Sequence, residues 1–222
     1  MTAPSAVFGR SRLFGAAVIV LALAGCKSKG DLVLDEGVGI TAIRTACPAV
    51  GIPDYTGDVS LFSRAGATDA ASIDLTASMT NVRSQCNDQG VKVYSTSSFD
   101  ILARRTDVRG ARTVQLPFFV TVLRGRSAVI SKRIGSVTLN FADGQERAQA
   151  RATGEAFIDK SEATLPADIR DQITRKRRAG ETDAAVDPLS RPEIRQAVNR
   201  ATFEVLLGFQ LNQEQLGYNA TR

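Results

Sequence analysis

The run Val114-Gln115-Leu116-Pro117-Phe118-Phe119-Val120-Thr121-Val122-Leu123 decides the fold. Its period is two. Val114, Leu116, Phe118, Val120 and Val122 fall on one face, as an extended strand requires when that face meets a core. Phe119 and Leu123 make the opposite face apolar as well, which predicts a central strand covered on both sides. Pro117 has no N–H to give to a ladder and predicts a bulge or an unpaired position inside the strand.

The same alternation extends in both directions from this run. Upstream, Ile73, Leu75, Ala77 and Met79 alternate with Asp74, Thr76, Ser78 and Thr80, the pattern of a strand with one buried and one wet face. Downstream, Arg124-Gly125-Arg126-Ser127 predicts a hairpin turn. Val137, Leu139 and Phe141 then lead into Asp143-Gly144, a two-residue turn signal of the I′ class. A last strand alternates Ala148, Ala150, Ala152, Gly154, Ala156 and Ile158 with polar residues, and its small inward side chains predict close packing. From about Val59 to Ile158 this makes six or seven short strands. The expected fold is mainly β (α+β): an immunoglobulin- or fibronectin-like antiparallel β-sandwich with C-terminal helices. No tryptophan is present to pin an antibody-type core.

After Asp159 the period lengthens. Pro166, the acids Asp168 and Asp171, the pair Ile169 and Ile173, and the basic run Arg175-Lys176-Arg177-Arg178 before Gly180 predict a helix over about 166–178. Ser190-Arg191-Pro192-Glu193 fits a capping box. The stripe Ile194, Val198, Ala201, Val205 and Phe209, widened by Phe203 and Leu206, predicts a second helix over about 191–211, with Gly208 as its weak point. Such a helix would cover the outer face at Phe119 and Leu123, or serve a partner.

The N-terminus has three zones: Arg10 and Arg12, an apolar run from Leu13 to Ala24, and small residues. That is a signal-peptide pattern, and the run is too short for a spanning helix. Leu23-Ala24-Gly25-Cys26 resembles the lipobox of bacterial lipoproteins. The resemblance implies cleavage before Cys26, a diacylglyceryl group on its thiol and a further acyl chain, such as palmitate, on its amine; two or three chains anchor durably where one would not. Lys27 resembles the outer-membrane-sorted class, facing the periplasm. Ala46-Cys47-Pro48-Ala49-Val50-Gly51 with Tyr55-Thr56-Gly57-Asp58 is similar to a segment of uncharacterised Gram-negative envelope lipoproteins, and the β pattern is similar to the two-layer domains of periplasmic accessory lipoproteins. The organisation expected is thus a signal over 1–25, a lipidated tether and irregular segment over 26–57, the sandwich over 58–160 and a helical region over 161–222.

Loss of residues 1–25 leaves 197 of 222 and lowers the formal net charge from +5 to +3, because Arg10 and Arg12 leave. A charge of that size is ordinary for solubility and does not imply nucleic acid. Besides Cys26 only Cys47 and Cys86 remain. In an oxidising compartment they are expected to form a disulfide, two buried free thiols being the alternative.

The chain has no histidine, which removes Ser-His-Asp and Cys-His catalysis and the commonest metal ligand together. No phosphate-cradling loop and no Gly-x-Ser-x-Gly elbow is present. Carboxylate pairs remain at Asp35 with Glu36, Asp168 with Asp171, and Asp183 with Asp187; all fall where solvated or capping acids are ordinary. No catalytic residue, cofactor or metal is expected. The basic run Arg175, Lys176, Arg177, Arg178 has two readings, a solvated helix end or a site for anionic head groups. Arg104, Arg105, Arg109 and Arg112 share them. The leading expectation is a non-catalytic accessory lipoprotein that presents its sandwich to other envelope proteins. A carrier or binding module for an apolar or anionic envelope molecule, held between sandwich and helix, competes with it. A carboxylate-only hydrolase comes last. A pocket would favour the carrier, and a broad exposed apolar patch the accessory role.

Overall fold

The computed structural model describes residues 45–175, 180–182 and 186–222. Eight strands form two four-stranded sheets. One sheet has the order β1 (Ala49–Gly51), β8 (Phe203–Phe209), β5 (Arg112–Arg124), β6 (Ala128–Phe141). The other has the order β2 (Asp58–Phe62), β3 (Ile73–Asn87), β4 (Lys92–Arg105), β7 (Arg147–Asp159). All neighbours are antiparallel except β1 and β8, which run parallel.

The inward rows expected at Leu75, Ala77 and Met79 and at Val114 through Val122 are buried, and they meet in one core with Phe99, Ile101, Leu139, Phe141 and Leu207. The sheets interlock at two points. The Phe99 and Phe118 rings meet edge to face at 5.1 Å. At Gly154 an added Cβ would lie 2.7 Å from a Val120 methyl and 2.9 Å from a Leu207 methyl, so the small residue in β7 lets the sheets close.

Several sequence expectations are corrected by this topology. The segment read as the second half of a helix over 191–211 is strand β8. Helix α3 (Pro192–Arg200) ends before it, and Phe203, Val205, Leu207 and Phe209 point into the core. A run of Phe-Glu-Val-Leu-Leu-Gly-Phe satisfies both an i, i+4 and an i, i+2 pattern. The vacancy beside β5, between Phe118 and Arg124, selects the second. Gly208 fits because an added Cβ would strike Thr56 and the Phe119 ring. The sandwich therefore draws β1 and β8 from outside 58–160.

The turn at Asp143-Gly144 is a corner between sheets rather than a hairpin. β6 pairs with β5 and β7 with β4, and only Gly144 has positive φ, at 74°. The turn at Gly125-Arg126 does have the I′ form, with φ of 60° and 72°. Pro117 makes no bulge. It sits opposite Ser136, its carbonyl accepts from the Gln210 N–H at 2.9 Å, and its missing donor faces that terminal rung beside β8. The register shift falls instead between Val122 and Leu123.

The capping box expected at Ser190 is absent: Ser190 Oγ donates to the Asp187 carbonyl, and Arg191 is the cap without a side-chain bond. A capping box does occur at Asn212 and Gln215, opening helix α4 (Gln213–Thr221) in the tail. Cys47 and Cys86 are joined, with Cα atoms 6.0 Å apart, tying the approach to β1 to the end of β3 and so one sheet to the other.

Candidate functional site

The four arginines near the β4–β5 connection are all engaged within the fold. Arg105 is 1% exposed. Its guanidinium donates to the carbonyls of Gln145, Gly110, Val108 and Ala142 at 2.7–2.9 Å and lies 5.2 Å from the Phe141 ring centre. One buried cation thus binds the β4–β5 and β6–β7 loops together. Arg104 pairs with Glu146, Arg109 with Asp107, and Arg112 with Asp74 in a two-bond fork. The Arg112 hydrogen bonds hold the Asp74 carboxyl below the usual carboxylate range, and those of Arg109 do the same for Asp107. These geometries favour a structural role for the group over the anion-site reading.

The opposite end of the sandwich is different. Helices α1 (Lys160–Ala163) and α2 (Ala167–Thr174) follow β7, and α2 packs on α3 through a second apolar cluster of Ile173, Ile194 and Val198, supported by Leu165, Ile169 and Leu189. This cluster is separate from the main core. Where the two fail to meet, a groove of about 1060 Å³ remains. The sandwich lines it with Ala46, Cys47, Ala49, Phe203 and Glu204, the helical segment with Ala163, Leu165, Arg170, Ile173 and Thr174. Its walls are mostly apolar, and Arg126, Lys160 and Arg170 border it against Asp88 and Glu204. The Lys160 ammonium donates to the Asp88 carbonyl, and Arg126 lies 4.0 Å from Glu204. The volume suits a small-molecule site, with apolar walls and a few polar groups.

Of the residues singled out in the sequence, Cys47 and Cys86 are brought together, and Cys47 lines this groove. Arg175 caps the end of α2, next to the lining residue Thr174, and pairs with Glu181 at 3.8 Å. Lys176, Arg177, Arg178 and Cys26 lie outside the described residues, as does the segment read as signal and tether up to residue 44. Among the described residues no group of histidine, cysteine or acidic side chains has metal-site geometry, and no helix is long and apolar enough to cross a membrane. The groove itself had no signal in the sequence. Its walls come from five separate stretches of chain, mainly alanine, threonine and single aliphatics that carry no motif.

The class of protein this architecture defines is a β-sandwich closed at one end by an arginine-bound loop knot and opened at the other by a cleft under helices. No protein-family model, no curated protein and no solved structure matches the chain.

Proposed function

We propose that this is a non-catalytic, lipid-anchored accessory protein of the bacterial envelope that works by binding at the groove between sandwich and helices. The anchor is Cys26, within the lipobox-like Leu23-Ala24-Gly25-Cys26, and the setting is the periplasmic face of a membrane, the outer one by the residue at Lys27. The observation that carries the reading is the groove itself: about 1060 Å³ of mostly apolar cleft left between two separate apolar clusters. Water held against such walls is less favourable than an apolar occupant. In the accessory reading the occupant is part of another envelope protein. In the carrier reading it is an apolar or anionic envelope molecule, and the bordering cations Arg126, Lys160 and Arg170, one more than the bordering acids Asp88 and Glu204, favour that second reading.

A photo-crosslinking amino acid in place of Thr164, an exposed residue of the groove wall, separates the two in living cells. Protein adducts identified by mass spectrometry support the accessory role, and lipid adducts support the carrier. Absence of any adduct overturns binding at the groove. Metabolic labelling with an alkyne fatty acid tests the anchor separately: label on the parent and none on Cys26→Ser is expected, and label retained on the variant refutes it.

A further inference from the structure

The stretch from Val108 to Ala142 contains no carboxylate, yet it carries Arg109, Arg112, Arg124, Arg126, Lys132 and Arg133. Arg109 and Arg112 have acidic partners at 2.7 and 2.6 Å. The other four lie on the outer half of the β5–β6 hairpin. Arg124 reaches Glu162 only at 3.7 Å and Arg126 reaches Glu204 only at 4.0 Å. Lys132 and Arg133 make no ion pair among the described residues. They rest over aromatic faces instead, Lys132 at 5.2 Å from the Phe119 ring centre and Arg133 at 5.6 Å from that of Phe157.

The same half of the hairpin exposes apolar side chains. Every residue of β6 from Ala128 to Ile134 is exposed, with Val129 at 62%, Ile130 at 50% and Ile134 at 57%. Phe119 and Leu123 of β5 pair with Ile134 and Val129 and continue the patch. Phe119, half-buried beside Thr56 and Gly208 of β8, and the half-buried Leu123 form its inner margin. By their pairing with Leu123, Thr121 and Phe119, Val129, Lys132 and Ile134 share the outer face, while Arg133, opposite the inward Val120, projects from the other face of the same edge strand. Aliphatics and cations brought together along this exposed edge suit the boundary of an anionic bilayer, where phosphates meet the cations and the aliphatics enter the acyl margin.

Position in the fold agrees. The Gly125 N–H donates to the Thr202 carbonyl at 2.9 Å, and Arg126 lines the same groove as Thr45, so the hairpin tip lies at the end of the sandwich from which the chain leads back toward residue 44. The 18 residues between Cys26 and Thr45, 19 Cα steps, span at most about 65 Å, enough to let that end reach the surface that holds the anchor. A partner strand added to β6 would have to accept adjacent Lys132 and Arg133, which blunt an edge, and a second copy would bring one cation set against another.

We propose that the outer half of the β5–β6 hairpin docks on the anionic phospholipid leaflet to which the protein is tethered, with the free edge of β6 toward the leaflet, so that Lys132 and Arg133 from its two faces, Arg126 at its tip, and Val129, Ile130 and Ile134 all meet that surface. The inference rests on the lipid-anchor reading for its orientation, and its test is independent of that anchor. The mature chain from residue 26 to 222 carrying Cys26→Ser has no lipid and is mixed with vesicles of phosphatidylethanolamine and phosphatidylglycerol, or of phosphatidylcholine alone, and sedimented. Binding to the anionic vesicles is expected, with weaker binding at high salt. Lys132→Gln with Arg133→Gln should weaken it by about 25-fold, roughly fivefold per charge. Val129→Ser with Ile130→Ser should weaken it at every salt concentration. These side chains are exposed, so unchanged circular dichroism and melting curves serve as the folding control. Equal binding to both vesicle types, no binding to either, or a dimer in sedimentation that the charge variants abolish would overturn the proposal. Failure of the alkyne label in cells would remove the anchor and leave this result standing.

Discussion

Arg105→Met is the substitution for which the structure makes the sharpest stability claim. Methionine matches the length of the arginine stem but makes none of its hydrogen bonds. Four backbone carbonyls, those of Val108, Gly110, Ala142 and Gln145, lose a charged donor held at 2.7–2.9 Å. A hydrogen bond to a charged group contributes about 1.5–3 kcal/mol, and an orphaned buried acceptor costs about 1–3 kcal/mol. Some of the loop carbonyls can turn to water, and removal of a buried charge relieves its own desolvation, so the net loss is about 3–5 kcal/mol rather than the full sum. With a urea slope of about 2 kcal/mol/M, the unfolding midpoint should fall by about 2 M in a circular dichroism titration. Arg105→Lys should recover only part of this, because a point charge with three donors cannot serve four carbonyls spread over two loops. Arg104→Met is the control: its partner Glu146 and its own side chain are solvent-exposed, and a change of at most about 1 kcal/mol is expected. If Arg105→Met unfolds within about 1 kcal/mol of the parent, the loop knot does not hold this end of the sandwich together.

Three further outcomes follow from the topology. Deletion from Ser190 onward removes β8, whose Phe203, Val205, Leu207 and Phe209 are at most 4% exposed; the loss of roughly 6–12 kcal/mol rivals a domain's whole stability, so no cooperative melting transition should remain, and an unchanged melting curve would contradict the strand order. Cys47→Ser with Cys86→Ser opens a loop of sequence separation 39, worth about 4 kcal/mol on the chain-entropy model, and the variant should melt well below the parent while peptide mapping of the native protein recovers the 47–86 link. For Asp74, whose folded pKa is lowered by Arg112, the stabilisation is complete above the unfolded value near 3.9 and is lost as pH falls through the lowered folded value; Arg112→Gln should cost about 0.5–1 kcal/mol at pH 7, and the gap to the parent should close in acid, whereas a pH-independent gap would show that the fork contributes only packing.

The parts of this fold legible in the sequence are those set by neighbours along the chain. Val114 to Val122 and Leu75 to Met79 must alternate because a strand's side chains do, and the turn at Gly125-Arg126 must be tight because only three residues separate the paired Arg124 and Ala128. The two cysteines were joinable by elimination. The acid-free span that carries Arg126, Lys132 and Arg133 could also be read directly, yet only the exposure of Val129, Ile130 and Ile134 gives it meaning.

What tertiary structure alone decided is which partner each segment found. Phe203 to Phe209 carries both a helical and an extended period, and a gap beside β5 chose the extended one, since burying four large side chains in the main core outweighs a surface helix. Arg105 is indistinguishable in sequence from Arg104, Arg109 and Arg112. Four carbonyls from two loops made it the buried one, because a cation leaves water only where enough acceptors converge. The groove arose in the same way. Ile173, Ile194 and Val198 bury one another instead of joining the core, and the space between the two clusters is a property of their separation that no local pattern encodes.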